Sequence, residues 1–188
     1  MPSAEPLPVS DLGGALLGLL ARGPGTGYDL TRQMHRPVGY FWSAQHSQIY
    51  GELTRLEQDG MIRGRDVDGA GPRQSRRWSI TAAGRRALHA FVTTPPPDRP
   101  TRSRLAVQAY SLWLADPDAA RAMLVAVREQ HEERLAEYAR EDAELGSPAV
   151  GDPDFGNAAA LRMGVLGAEA MVAWCDWVLA QLDPTLVE

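Results

Sequence analysis

The sequence predicts a mainly α-helical chain in two parts: a small domain of helices with one β-hairpin, then an all-helical region. Three observations predict it. The stretch Thr93-Thr94-Pro95-Pro96-Pro97-Asp98-Arg99-Pro100 cannot continue a helix and reads as a stiff connector. Ahead of it, three helical patterns precede two short strand patterns split by a glycine-rich turn. Behind it, the pattern is helical throughout. The expected boundaries are 1–92, a linker at 93–101, and 102–188.

The elements follow in order. Ser10 or Asp11 can cap a first helix that runs through Leu20 and stops at Gly23-Pro24-Gly25. Thr26 can cap a second, Gly27–Met34, which ends before Pro37. Ser43 can cap a third, whose apolar Ile49, Leu53 and Leu56 share one face and which Gly60 stops. Met61–Val67 and Arg77–Ile80 read as two strands around Asp68-Gly69-Ala70-Gly71-Pro72, a strong turn signal. Thr81 can cap a fourth helix to about Phe91. In the rear part, one helix is expected over about 102–115. Asp116 and Pro117 open another to about Leu145, 146–156 reads as a loop, and the last helix runs from about Asn157 to Leu182.

Composition narrows the class. The 188 residues are 44 % apolar and 23 % charged, as in ordinary globular chains. The single cysteine, Cys175, excludes an intramolecular disulfide and fits a reducing cytosol. No uninterrupted apolar run approaches the ~20 residues of a membrane span, and the N-terminus lacks a basic signal-peptide start. A cytoplasmic protein with no membrane partner is therefore expected. All 19 positive charges are arginine, and the net charge is −5. The basic residues concentrate in the front part and the acidic ones in the rear, so the front is the part suited to an anionic partner.

Three helices followed by an arginine-rich hairpin is the order of a winged helix-turn-helix, in which the later helix of the pair enters the DNA major groove. The third helix opens with polar Gln45, His46, Ser47 and Gln48, with Tyr50 and Arg55 further along. Gln can bond adenine, and Ser or His can reach phosphates or base edges. The plainer account of these residues is a solvated helix face. The hairpin adds Arg63, Arg65, Arg73, Gln74, Arg76 and Arg77 around an exposed tip, a composition that suits phosphates or a minor groove.

Four segments carry a family resemblance. Tyr28-Asp29-Leu30 after a glycine, then Ser47-Gln48-Ile49-Tyr50-Gly51-Glu52-Leu53-Thr54-Arg55-Leu56-Glu57-Gln58-Asp59-Gly60-Met61-Ile62, resembles the PadR family of transcriptional regulators. Met61 stands where leucine is usual. Arg77-Trp78-Ser79-Ile80-Thr81-Ala82-Ala83-Gly84-Arg85 resembles the family's last wing strand and its Thr-x-x-Gly, with Trp78 where tyrosine is commoner. Ser111-Leu112-Trp113-Leu114-Ala115-Asp116-Pro117 resembles the opening of the helical domain of longer members. The resemblance implies a homodimer, most simply a repressor, on a pseudo-palindromic operator in double-stranded DNA. It implies DNA contacts from Tyr28, Ser43, Gln45, His46, Ser47, Gln48, Tyr50, Arg55 and the wing residues above.

The residues support dimerisation independently. From Ala158 to Leu182, 19 of 25 residues are apolar, and Gly164 and Gly167 would admit another helix closely. Trp113, Trp174 and Trp177 are candidates to stack on a small aromatic effector, although packing is the plainer account. Cys175 reads as a buried thiol, and Tyr40-Phe41-Trp42 as an anchor for the turn before the third helix. The four histidines lack metal-ligand spacing, so no metal and no cofactor are expected. No nucleophile elbow, P-loop or dinucleotide fingerprint is present, and the chain is not expected to be an enzyme. Two alternatives remain open: a protein-binding module on the same fold, and a helical small-molecule binder.

Overall fold

The computed structural model describes residues 9–34, 45–67, 75–98 and 103–182. The chain divides into two compact units, 1–97 and 98–188.

In the first unit the elements are α1 (Asp11–Arg22), β1 (Gly25–Thr26), α2 (Gly27–Met34), α3 (His46–Gln58), β2 (Ile62–Val67), β3 (Ser75–Ile80) and α4 (Ala82–Thr93). Ser10 caps α1, its hydroxyl accepting from the Gly13 N–H at 2.9 Å. α2 opens on Thr26 and Asp29, which bond each other: the Asp29 carboxylate accepts the Thr26 N–H and hydroxyl, and the Thr26 hydroxyl accepts the Asp29 N–H. This is a capping box with aspartate in the reciprocal role. The Thr26 bonds hold the Asp29 carboxyl below its ordinary pKa.

The sheet has three strands, ordered β1-β3-β2 and antiparallel throughout. The sequence predicts only the hairpin. β1 is two residues long and carries no alternation to read, yet Gly25 and Thr26 pair with Trp78 and Arg77. β3 also begins at Ser75, two residues before the expected start. Leu16, Leu17, Leu20, Leu30, Ile49, Leu53, Leu56, Ile62 and Trp78 form the core of this unit. Alternation along the strands thus turns Ile62, Gly64, Trp78 and Arg76 toward the helices, and Arg63, Arg65, Arg77 and Ser79 away from them.

Geometry dictates glycine at several positions, Gly60 and Gly84 among them. Gly60 has φ +69° and ends α3 as a left-handed cap. Gly84 lies so close to the Met61 carbonyl that a Cβ there would stand 2.1 Å from its oxygen. Thr81 completes that junction, donating its hydroxyl to the Gly60 and Met61 carbonyls and accepting the Gly84 N–H. The Thr-x-x-Gly motif is therefore a joint that fixes α4 against the start of β2.

The second unit holds α5 (Arg104–Tyr110), a 3-10 turn (Leu112–Leu114), α6 (Pro117–Leu145) and α7 (Pro153–Gln181). The single helix expected over 102–115 is thus interrupted at Ser111. α7 starts four residues before its expected start: Asp152 caps it by accepting the Asp154 N–H, with Pro153 in the first turn. The same Asp-Pro pair opens α6 at Asp116-Pro117. α6 and α7 pack through Leu124, Tyr138, Leu161, Ala168, Cys175 and Val178. Tyr138 lies over Gly164, where a Cβ would meet its ring at 2.9 Å. Arg128 links the helices, 2.6 Å from Asp176, and also pairs with Glu132 on its own helix.

α7 is long and apolar enough, by length and composition alone, to cross a membrane, with mean hydropathy 1.3 over an 18-residue window. Arg162, Glu169 and Asp176 interrupt its apolar runs and, recurring every seven residues, lie on one stripe.

Candidate nucleic-acid interface

α3 presents a buried strip, an outward strip and two flanks between them. Ile49, Leu53 and Leu56 are buried against the core. On the opposite side, Ser47, Gly51, Thr54 and Gln58 recur at i, i+4, i+7 and i+11 and are all exposed. Between the strips stand Gln48 and Arg55 on one flank, and His46 and Tyr50 on the other. Gly51, Thr54 and Gln58 are outward residues that the sequence reading omitted. The i, i+4, i+7 arithmetic used for the core finds them when applied to the other face.

The polar start of α3 is partly self-engaged. Gln45, not Ser43, is the residue that caps it; Ser43 lies outside the described residues. Gln48 Oε1 accepts the Gln45 N–H at 2.8 Å. A serine cap was expected because serine is the stronger cap former, but Gln48 reaches back to supply the acceptor. The Gln48 amide nitrogen stays available as a donor. His46 and Ser47 are exposed, the His46 ring 4.7 Å from that of Tyr50.

Tyr50 is half structural. It is 38 % exposed, meets Trp78 edge-on at 6.3 Å between centroids, and covers Gly27 so closely that a Cβ there would stand 2.4 Å from the ring. Tyr28, next to Gly27 at the start of α2, is 69 % exposed. The first turns of α2 and α3 therefore present Tyr28, His46, Ser47 and the Tyr50 edge from one corner of the fold.

Arg55 is exposed, as expected of an outward residue, and is engaged on its own helix. Its guanidinium spans both Glu52 oxygens, at 2.7 and 3.1 Å, and Glu52 also accepts the Ser10 hydroxyl. The Glu52 bond raises the Arg55 pKa.

The hairpin arginines separate by face. Arg76 turns toward α3, where Glu57 accepts both its Nη2 and the Gly64 N–H, each at 2.7 Å. A Cβ on Gly64 would lie 2.2 Å from Arg76 Nε, so glycine there lets the ion pair close. The Arg76 bond pulls the Glu57 carboxyl below its ordinary pKa. Arg76 is therefore a brace between α3 and the wing as much as a charge offered to a partner. Arg63, Arg65 and Arg77 lie on the other face and are exposed. Arg73 and Gln74 lie outside the described residues, as does the Tyr40-Phe41-Trp42 anchor.

In the second unit Trp174 is half-buried on α7, whereas Trp177 and Trp113 are 62 % and 80 % exposed. Cys175 is fully buried, and burial raises its thiol pKa. Among the described residues no cluster of His, Cys, Asp or Glu could hold a metal ion.

A helix with a polar outward stripe, braced to a basic β-hairpin, defines a winged helix-turn-helix protein. The comparisons agree. The profile for "Transcriptional regulator PadR-like family" matches residues 16–90, and that for "Virulence activator alpha C-term" matches residues 101–183. The negative transcriptional regulator PadR of Bacillus subtilis is 28 % identical over 174 residues, 90 % of this chain and 96 % of its own length. Two crystal structures of Bacillus subtilis PadR superpose closely. The complex with operator DNA has a TM-score of 0.82 at 27 % identity, covering 90 % of this chain and 98 % of that one. The complex with p-coumaric acid has a TM-score of 0.78 at 26 % identity, covering 92 % and 98 %. The chain is a transcriptional regulator similar to the PadR family, by the profile match over residues 16–90 and by these relatives along most of its length.

Proposed function

We propose that the chain binds a pseudo-palindromic operator in double-stranded DNA as a homodimer and represses transcription from it in the cytoplasm. The observation that carries the reading is α3. Its outward stripe is polar and exposed, and Glu57 fixes its angle to the wing. In this reading Ser47, Gln48, Gly51 and Thr54 face the major groove. His46, Tyr50 and Tyr28 stand at its edge, and Arg73, Gln74 and Arg76 meet the flanking backbone. Bacillus subtilis PadR, a negative regulator, is crystallised with operator DNA, which supports this assignment.

The dimer contact is proposed to run along α7 and the α5 region. Met163, Leu166 and Trp177 on α7, with Val107, Tyr110 and Leu114, are exposed apolar side chains in the second unit. Gly164 is occupied by Tyr138 of the same chain, whereas Gly167 opens onto nothing within 4 Å and is the glycine free to meet a partner helix. A small aromatic effector is proposed to release the DNA by favouring one dimer state. The Bacillus subtilis relative is crystallised with p-coumaric acid, a molecule of that class.

In vitro transcription from the chain's own upstream region tests the whole reading. Repression that p-coumaric acid or a related phenolic acid relieves, by a species that sediments as a dimer, is the expected result. Unchanged transcription with a monomeric species would overturn it.

A further inference from the structure

The face of the sheet turned away from α3 holds an open concavity of about 600 Å³, lined by Arg63, Arg65, Arg77, Ser79 and Pro24, with Ala82 at its end. Its charge arrangement is unusual for a sheet. Arg65 lies directly opposite Arg77 across the β2–β3 ladder, and Arg63 is two residues along on the same face, opposite Ser79. Like charges directly opposed across strands are destabilising. Among the described residues, no carboxylate forms an ion pair with any of the three. Asp29, whose carboxyl feels Arg77, is committed to the N–H and hydroxyl of Thr26. Arg76, another of the hairpin's five arginines, is by contrast satisfied by Glu57 and Asp66 on the other face. Among the described residues, one hairpin arginine is thus paired where it braces α3 and three have no ion-pair partner around a hollow.

A fourth source of positive potential converges there. Ala82, the first residue of α4, lines the concavity, so that helix presents its N-terminal end to it. The Ser79 hydroxyl adds a neutral donor. The hollow lies in the ordinary size range of small-molecule sites, and its walls are hairpin strands and a helix end rather than a flat surface.

We propose that this concavity binds a small, multiply charged phosphorylated anion of the oligophosphate class, at a site separate from the α3 surface. Arg65 and Arg77 form a cross-strand pair able to clamp neighbouring phosphate groups, and Arg63 extends the clamp along β2. The same chemistry could be offered by a DNA backbone. Two features favour the free anion: the site is concave, and it lies on the opposite face of the sheet from Glu57, Arg76 and α3.

The test is calorimetric titration of the full chain with inorganic tripolyphosphate, both free and saturated with a non-specific duplex. One saturable site per chain is expected in both cases. Arg65→Gln and Arg77→Gln should each weaken it by about tenfold or more, since each removes charge-assisted bonds. Arg86→Gln removes the same charge from an exposed position on α4 outside the hollow and should leave the affinity within about twofold. Thermal melting of the free Arg65→Gln chain should show no loss of stability, because the change relieves like-charge opposition. Absence of a saturable heat would overturn the proposal. So would equal weakening by Arg86→Gln, or loss of the site on duplex binding; the last would assign these arginines to DNA.

Discussion

Gly51 offers a separation of stability from function. It sits in the interior of α3, on the exposed stripe, and nothing lies within 4 Å of where its Cβ would be. No intramolecular packing therefore requires glycine there. Gly51→Ala should stabilise α3 by the full propensity difference, about 1 kcal/mol, with no steric term to offset it. For a unit of this size that raises the midpoint of thermal unfolding by roughly 4–8 °C. If the stripe lies against DNA, the added methyl holds the helix off the groove floor and weakens binding, by roughly tenfold, or ~1.4 kcal/mol. Gly18→Ala in α1 is the control: its Cβ position is equally open, so it should stabilise without weakening DNA binding. Differential scanning calorimetry and fluorescence anisotropy read the two effects. A Gly51→Ala chain that is more stable and binds DNA as tightly as its parent would refute the placement of α3 in close contact with DNA.

Further outcomes follow from the same geometry. Glu57→Gln should loosen the wing and reduce discrimination between operator and scrambled DNA, read by competition anisotropy; unchanged discrimination would make the Glu57–Arg76 contact merely structural. The folded-state pKa of Glu57 lies below its ordinary value, so its stabilisation is complete above the ordinary carboxylate range and is lost as pH falls through the depressed value. The stability gap between the parent and Glu57→Gln should accordingly be present at neutral pH and close in acid, as followed by urea unfolding. Met163→Glu with Leu166→Glu should shift the chain from dimer to monomer in sedimentation experiments while leaving the helix content unchanged. Asp152→Ala should cost about 1 kcal/mol by removing the α7 cap, checked by denaturant midpoint. Cys175 should resist a thiol reagent in the folded chain and react promptly after denaturation, since it is fully buried.

The elements that the sequence made legible are those announced by local chemistry. Ser10, Thr81 and Asp116 are side chains that cap a helix by themselves, and each stands where its helix starts. Ile49, Leu53 and Leu56 share a face because the helical period allows nothing else. What was not legible depends on partners distant in the chain. β1 is a strand only because Trp78 and Arg77 lie beside it. Asp152-Pro153 repeats the Asp116-Pro117 start signal, but the glycines and prolines around it suggest a loop.

At the candidate interface, composition identified the charged and polar residues but not their commitments. Arg55 and Arg76 look alike in sequence to Arg63 and Arg65. Only the fold shows the first two paired with Glu52 and Glu57 and the others facing away from α3. The reciprocal Gln45–Gln48 contact is similar: both glutamines suit base recognition, yet one is the cap and the other satisfies it.

The central claim is that α3 reads DNA sequence while the wing supplies sequence-independent charge. The measurement that tests it most directly is anisotropy on the chain's own upstream DNA and on a scrambled duplex, across a series of salt concentrations, for the parent and two variants. Ser47→Ala with Thr54→Ala should erase the preference for the upstream sequence and leave the salt slope intact. Arg73→Ala should weaken both duplexes alike and lower the slope by about one. Salt-dependent binding that never distinguishes the two duplexes, or a sequence preference that survives loss of Ser47 and Thr54, would contradict the account.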